Sequence, residues 1–138
     1  MKLKIKECDI QAECIQWFKE NRKEDIIFSV PNEACFRRKI YFERLGLLPG
    51  VSDTIVIIKN KVLFIEFKTP KGEQSTEQRE FENNVLDKGF SYYIVRSVEE
   101  FIEVIDSFTG LMVIVGRPGY RVDNRTIKRG SQVSNLTV

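Results

Sequence analysis

Three residues in the stretch "SDTIVIIKNKVLFIEFK" (Ser52–Lys68) have side chains suited to chemistry: Asp53, Glu66 and Lys68. Two apolar runs, Thr54 to Ile58 and Val62 to Phe67, read as strands joined by a tight turn. Side chains alternate faces along a strand, so Glu66 and Lys68, two apart, lie on one face. A two-residue turn at Asn60-Lys61 pairs Lys59 with Val62 and sets Asp53 opposite Lys68. Directly opposed residues share a face. Asp53, Glu66 and Lys68 are thus expected on one patch, with Glu66 diagonal to Asp53.

Two carboxylates on one sheet face repel each other, and removing an ionised carboxylate from water costs several kcal/mol unless it is paired. A divalent cation would relieve both costs, and an all-oxygen donor set favours Mg²⁺ or Mn²⁺ over zinc. The Lys68 ammonium beside such a site could stabilise a phosphate or orient water. The spacing D-x₁₂-E-x-K also fits an ordinary Glu66–Lys68 pair on a half-exposed strand, with Asp53 as a turn residue. The residues alone leave both readings open.

Composition narrows the chemistry. The chain has 138 residues, 42% hydrophobic and 30% charged, which suits one domain with one core. It contains no histidine, so Ser-His-Asp and Cys-His catalysis and histidine-ligated zinc are excluded. The cysteines, Cys8, Cys14 and Cys35, form no C-x-x-C and do not suggest a disulfide framework or a zinc site. Cys14 and Cys35 are expected as small core residues. No apolar run is long enough to cross a membrane, and the charged "MKLKIKECD" lacks a signal-peptide core, so a cytoplasmic location is the default expectation. Net charge is only +2, but Arg117–Arg129 holds five basic residues against Asp123. Such a patch can attract phosphates, or can be a solvated tail.

The elements that must position the three residues follow in order. Asp9 to Asn21 reads as a helix capped by Asp9, with Ile10, Cys14, Trp17 and Phe18 on one face and Glu13 on its edge. Ile26 to Val30 is a strand ended by Pro31. "NEACFRRKIYFERLG" reads as a helix closed by Gly46 and carrying Arg37, Arg38, Lys39 and Arg44. After the hairpin, Ser75 and Gln78 have capping-box spacing at the start of a helix through Phe81, Val85 and Leu86 to Gly89. "FSYYIV" is a strand, Ser97 and Glu100 open a last helix ending at Gly110, and "LMVIV" is a final short strand. The order α-β-α-β-β-α-β-α-β predicts an α/β domain with a mixed central sheet flanked by helices on both faces. Residues 1–115 form that domain, and 116–138 a basic tail that is flexible or contacts a partner. No Gly-rich phosphate loop is present.

These residues in this order resemble the VRR-NUC (virus-type replication-repair nuclease) domain of the PD-(D/E)XK nuclease superfamily. The resemblance rests on Glu13 in an early helix, "VPNE", "GLLPGVSD", "LFIEFKTPKGEQSTEQREF" and "GFSYYIVRSVEEF", together covering about residues 9 to 106. Ser52 departs from the proline that usually precedes the aspartate, and the segment after Phe108 matches nothing assignable. The resemblance implies a restriction-endonuclease-like fold and a Mg²⁺- or Mn²⁺-dependent deoxyribonuclease. It implies Asp53, Glu66 and the Phe67 carbonyl as metal ligands, Lys68 as the catalytic lysine, Glu13 reaching the metal through water, and Gln78 positioning water or phosphate. Gln78 could equally be only the helix cap, Glu13 a solvated helix residue, Asn32 and Glu33 a cap and first-turn acid, and Tyr92 and Tyr93 plain sheet residues. Arg37, Arg38, Lys39 and Arg44 are candidates for binding DNA. The family also implies a homodimer acting on branched DNA such as four-way (Holliday) junctions, in DNA repair or in phage. Other nucleases of the superfamily, and a non-catalytic DNA-binding module with the same fold, are the alternatives.

Overall fold

A computed structural model describes residues 4–31 and 37–110. Its elements run α1 (Glu7–Asn21), β1 (Ile26–Ser29), α2 (Lys39–Arg44), β2 (Thr54–Ile58), β3 (Lys61–Phe67), α3 (Thr76–Asp87), β4 (Ser91–Val95) and α4 (Val98–Thr109). The strands form one sheet in the order β1-β2-β3-β4. β1–β2 and β2–β3 are antiparallel, and β3–β4 is parallel through the α3 crossover. The sheet is mixed and carries helices on both faces, as the element order predicts. The expected strand at 111–115 and the basic tail fall outside the described residues, as do Asn32, Glu33 and Cys35.

Alternation along the strands divides the interior. Val56 and Ile58 of β2, Leu63, Ile65 and Phe67 of β3 and Val95 of β4 face α1 and α4, where Ile10, Cys14, Phe18, Phe101, Val104 and Ile105 meet them. Burying a side chain of this size contributes about 1.5–3 kcal/mol, so this layer carries much of the fold's stability. Phe101 is its hub, in ring contact with Trp17, Phe18 and Phe67. On the opposite face α3 lays Phe81 against Phe64 and Tyr92. Tyr92 and Tyr93 are buried sheet residues on opposite faces of β4. No helix among the described residues is long and apolar enough to cross a membrane.

Two expected boundaries move, each for a local reason. α1 begins at Glu7, two residues before Asp9, because Asp9 caps from inside the first turn: its carboxylate accepts the Lys6 N–H at 3.2 Å. The hairpin turn is Lys59-Asn60, not Asn60-Lys61, and Ile58 pairs with Lys61. This register takes Lys59 off the sheet face and places it at the exposed tip, where it adopts φ 53°. Continuing it one step past the Thr54–Ile65 pair sets Asp53 opposite Glu66, not Lys68. The slip is two residues, so the three polar side chains keep their common face. α2 is a six-residue helix, Lys39–Arg44, shorter than its sequence pattern implies, with Gly46 just beyond it at φ 102°.

Candidate active site

The three polar residues meet at the ends of β2 and β3. Asp53 sits where β2 begins, and its carbonyl accepts the Val30 N–H at 2.8 Å, so the end of β1 fixes its backbone. Its Oδ2 accepts the Phe67 N–H at 2.7 Å, which swings the carboxylate across to β3. Ser52, fully buried, stiffens this corner by donating its hydroxyl to the Thr54 carbonyl at 3.2 Å. At the far side of the patch the Lys68 N–H donates to the Val95 carbonyl at 3.0 Å and extends the parallel ladder past Phe67.

Glu66 is the most confined group. It is 1% exposed, and its Oε1 lies 3.4 Å from the Lys68 ammonium. The same oxygen accepts a hydrogen bond from the Gln78 side-chain amide. Its other oxygen, Oε2, is buried and has no hydrogen-bond partner among the described residues. Burial pushes the Glu66 carboxyl up to about 8, and the Asp53 charge adds to the rise while Lys68 opposes it. Burial also raises the Asp53 carboxyl, against the Phe67 N–H and the Lys68 charge. Both carboxyls resist ionisation chiefly because they are buried.

Gln78 caps its helix and also reaches the acidic centre. Its amide oxygen accepts the Ser75 N–H at 2.9 Å while the Ser75 hydroxyl accepts the Gln78 N–H at 3.2 Å, a complete capping box. The amide nitrogen of the same side chain donates to Glu66. Glutamate there could complete the cap but would set a third carboxylate against Glu66. Only an amide has one end that accepts from the backbone and another that donates to the acid. The preceding loop presses α3 into place. A Cβ on Gly50, which has φ +77°, would lie 2.3 Å from the Glu77 carbonyl group and 2.7 Å from the Gln78 nitrogen. Glycine is what lets "LPGVSD" pass beneath the first turn of α3.

The helical glutamate at this centre is Glu7. Its Oε1 lies 3.7 Å from the Lys68 ammonium, and its charge contributes to raising both Asp53 and Glu66. Glu13 is exposed and stands away from the patch; with burial as the main cause, its charge helps push the neighbouring Cys14 thiol up to about 12. The sequence held a signal for Glu7. It lies three residues before Ile10 and seven before Cys14, so it shares their face once the helix starts early enough. A helix starting at an Asp9 N-cap would leave Glu7 outside it.

Of the basic candidates, Lys39 and Arg44 lie on α2 and Arg37 and Arg38 just before it, all four exposed. They line a shallow groove with Ile40 and Tyr41, and the Arg38 guanidinium stands 4.9 Å over the Tyr41 ring. Hydrogen bonds from its own backbone and from Ser75 hold the Glu77 carboxyl below the usual range, and Lys39 adds to this.

Among the described residues no three acidic, histidine or cysteine side chains gather into a metal-binding cluster. The centre offers two carboxylates with one buried oxygen unpartnered, a set that fits an ion taking one or two carboxylates and otherwise water, as Mg²⁺ does.

No family model matches the sequence, and no curated protein matches it. Among solved structures the chain is similar to a VRR_NUC domain protein, with a TM-score of 0.64 and 21% identity over 79% of this chain and 92% of that one. The likeness shows that the chain has the fold of a VRR_NUC domain.

Proposed function

We propose that this chain is a metal-dependent endodeoxyribonuclease that hydrolyses phosphodiester bonds in branched DNA. The observation that carries the reading is the convergence of Asp53, Glu66 and Lys68 on one face, with a buried Glu66 oxygen that no described group partners. The VRR_NUC fold supports it. Asp53, Glu66 and the Phe67 carbonyl would hold Mg²⁺ or Mn²⁺, and Glu7, in place of Glu13, would approach from α1. A bound ion would supply an acidified water and an electrophile for the phosphoryl oxygen.

The chain's own residues do the rest. Lys68, its ammonium between Glu66 and Glu7, orients the attacking water and offsets charge that develops on the phosphate. Gln78 holds the Glu66 carboxylate in a single orientation from a helix terminus that cannot drift without losing its cap. Arg37, Arg38, Lys39 and Arg44 take the DNA backbone beside the acidic centre, which by itself would repel it. A homodimer would set two such centres on two strands of a four-way junction.

The test is cleavage of an end-labelled four-way junction and of linear duplex of the same sequence, with and without Mg²⁺. Nicks should appear only with the ion, at least about tenfold faster on the junction, and vanish on chelation. An absence of ion-dependent cleavage on either substrate would reject the nuclease reading. Equal rates on both would reject the preference for branched DNA.

A further inference from the structure

We propose that Arg96 is a positioning residue for the Lys68–Glu7 side of the centre, an inference that rests on the nuclease reading above. Arg96 is the first residue after β4 and lies outside the acidic patch. Its guanidinium Nη1 donates to the Thr69 carbonyl at 2.6 Å and to the Gly72 carbonyl at 2.7 Å. Both carbonyls belong to the turn that leaves β3 directly after Lys68, closed by the Gly72 N–H donating to Thr69 O at 3.0 Å. A guanidinium spanning two carbonyls makes charge-assisted bonds, stronger and more directional than neutral ones.

Both ends of this clasp are anchored. The Arg96 N–H donates to Glu100 Oε2 at 2.8 Å, and Ser97 Oγ accepts the Glu100 N–H at 3.2 Å, so the guanidinium springs from the capped start of α4. One residue earlier, the Val95 carbonyl accepts the Lys68 N–H. Three hydrogen bonds thus join residues 68–72 to residues 95–96, and Lys68 lies between the regular end of β3 and the clasped turn.

The turn also seats the helical glutamate. A Cβ built on Gly72 would stand 3.2 Å from Glu7 Oε1 and 3.0 Å from Thr69 Oγ1. Glu7 therefore rests almost on the Gly72 backbone. Among the described residues the half-exposed Glu7 carboxylate pairs ionically only with Lys68, so its place depends on the surface beneath it. Releasing the turn would let Gly72 drop away and let Lys68 and Glu7 separate. Asp53, Glu66 and Gln78 have their own hydrogen bonds and would stay.

The test compares Arg96→Met and Arg96→Lys with the unaltered full chain in two measurements. Hydrogen exchange on the metal-free protein reads the clasp itself and needs no activity. The Gly72 amide should exchange at least about tenfold faster in Arg96→Met, with exchange in β2 and β3 unchanged, and Arg96→Lys should recover much of the protection. Steady-state cleavage reads the consequence. In Arg96→Met kcat should fall by about ten- to thirtyfold with KM within about twofold, and Arg96→Lys should restore at least a third of the loss. If exchange at Gly72 is unaltered, or β2 and β3 loosen with it, the inference is overturned. It is also overturned if kcat stays within twofold of the unaltered chain, or if KM rises in step with the fall in kcat. Should the unaltered chain cleave no DNA, the nuclease reading fails and the positional inference with it, while the exchange result still says whether the clasp exists.

Discussion

Replacing Lys68 by methionine is expected to slow phosphodiester cleavage at saturating Mg²⁺ by at least about a hundredfold, the low end of what one group that stabilises transition-state charge contributes. Methionine keeps the length of the stem and removes only the charge. The ammonium lies 3.4 Å from Glu66 Oε1, and it also reaches Glu7 at 3.7 Å. Its loss acts twice. It deletes the group that orients water and offsets charge in the transition state. It also removes the influence that lowers the Glu66 and Asp53 carboxyls, so both become harder to ionise. The second effect should weaken Mg²⁺ binding, so the comparison is made at saturating ion, where kcat isolates the first. Removing one partner of a buried pair costs about 3–5 kcal/mol when the other charge stays buried. Glu66 can instead take a proton, so the variant should remain folded by circular dichroism at pH 7. A Lys68→Met rate within threefold of the unaltered rate would remove Lys68 from the mechanism.

The second large effect needs no substrate. In the metal-free chain, stability should fall as pH rises from about 5 to about 8. Glu66 has an ordinary value of 4.5 when unfolded and is pushed up to about 8 when folded. Between those values the folded chain holds a proton that the unfolded chain has released. Stability then drops with each unit of pH, by at most about 1.4 kcal/mol per unit per proton. The contribution is fully present below the unfolded value and is lost once pH passes the folded one. Asp53 is raised as well and so acts with the same sign from its lower starting value. The sum is of order a few kcal/mol, large beside the usual 5–15 kcal/mol of a domain. The urea midpoint should decline over this range, and Glu66→Gln should flatten the decline. Added Mn²⁺ should reverse it above pH 7, because an ion selects the ionised carboxylates. A midpoint that is flat or rises over the same range in the metal-free chain would contradict this electrostatic description.

The site's polarity was readable from strand period and its fine geometry was not. Asp53, Glu66 and Lys68 share a face under any even register shift, so the two-residue error at the Lys59-Asn60 turn did no harm to their grouping. Gln78 was legible as a cap because S-x-x-Q has a local physical meaning. Its bond to Glu66 joins residues twelve apart across two elements, and no local pattern encodes that. Glu7 was hidden by a plausible competitor, since Asp9 looks like an N-cap and does bond the Lys6 backbone, only from two residues inside the helix. Arg96 left no trace, because its partners are the carbonyls of Thr69 and Gly72, which every residue type offers alike. The mixed sheet and its helices followed from apolar patterning, helical spacing in the helices and a continuous apolar run where both strand faces are buried, as in "SYYIV". α2 is the reverse case. Its stop at Gly46 was legible, but Ile40, Tyr41 and Leu45 in and just after it are exposed, so the helix pattern there marked an element without marking a core.

Calorimetric titration of the metal-free chain with Mn²⁺ at pH 7.5, repeated with Asp53→Asn and Glu66→Gln, asks whether the paired carboxylates form an ion site. Saturable binding should appear in the unaltered chain and weaken at least about tenfold in each variant. Its heat should vary with the buffer's ionisation enthalpy, because a proton leaves as the ion enters. No binding, or equal affinity in all three proteins, would show that Asp53 and Glu66 hold no metal.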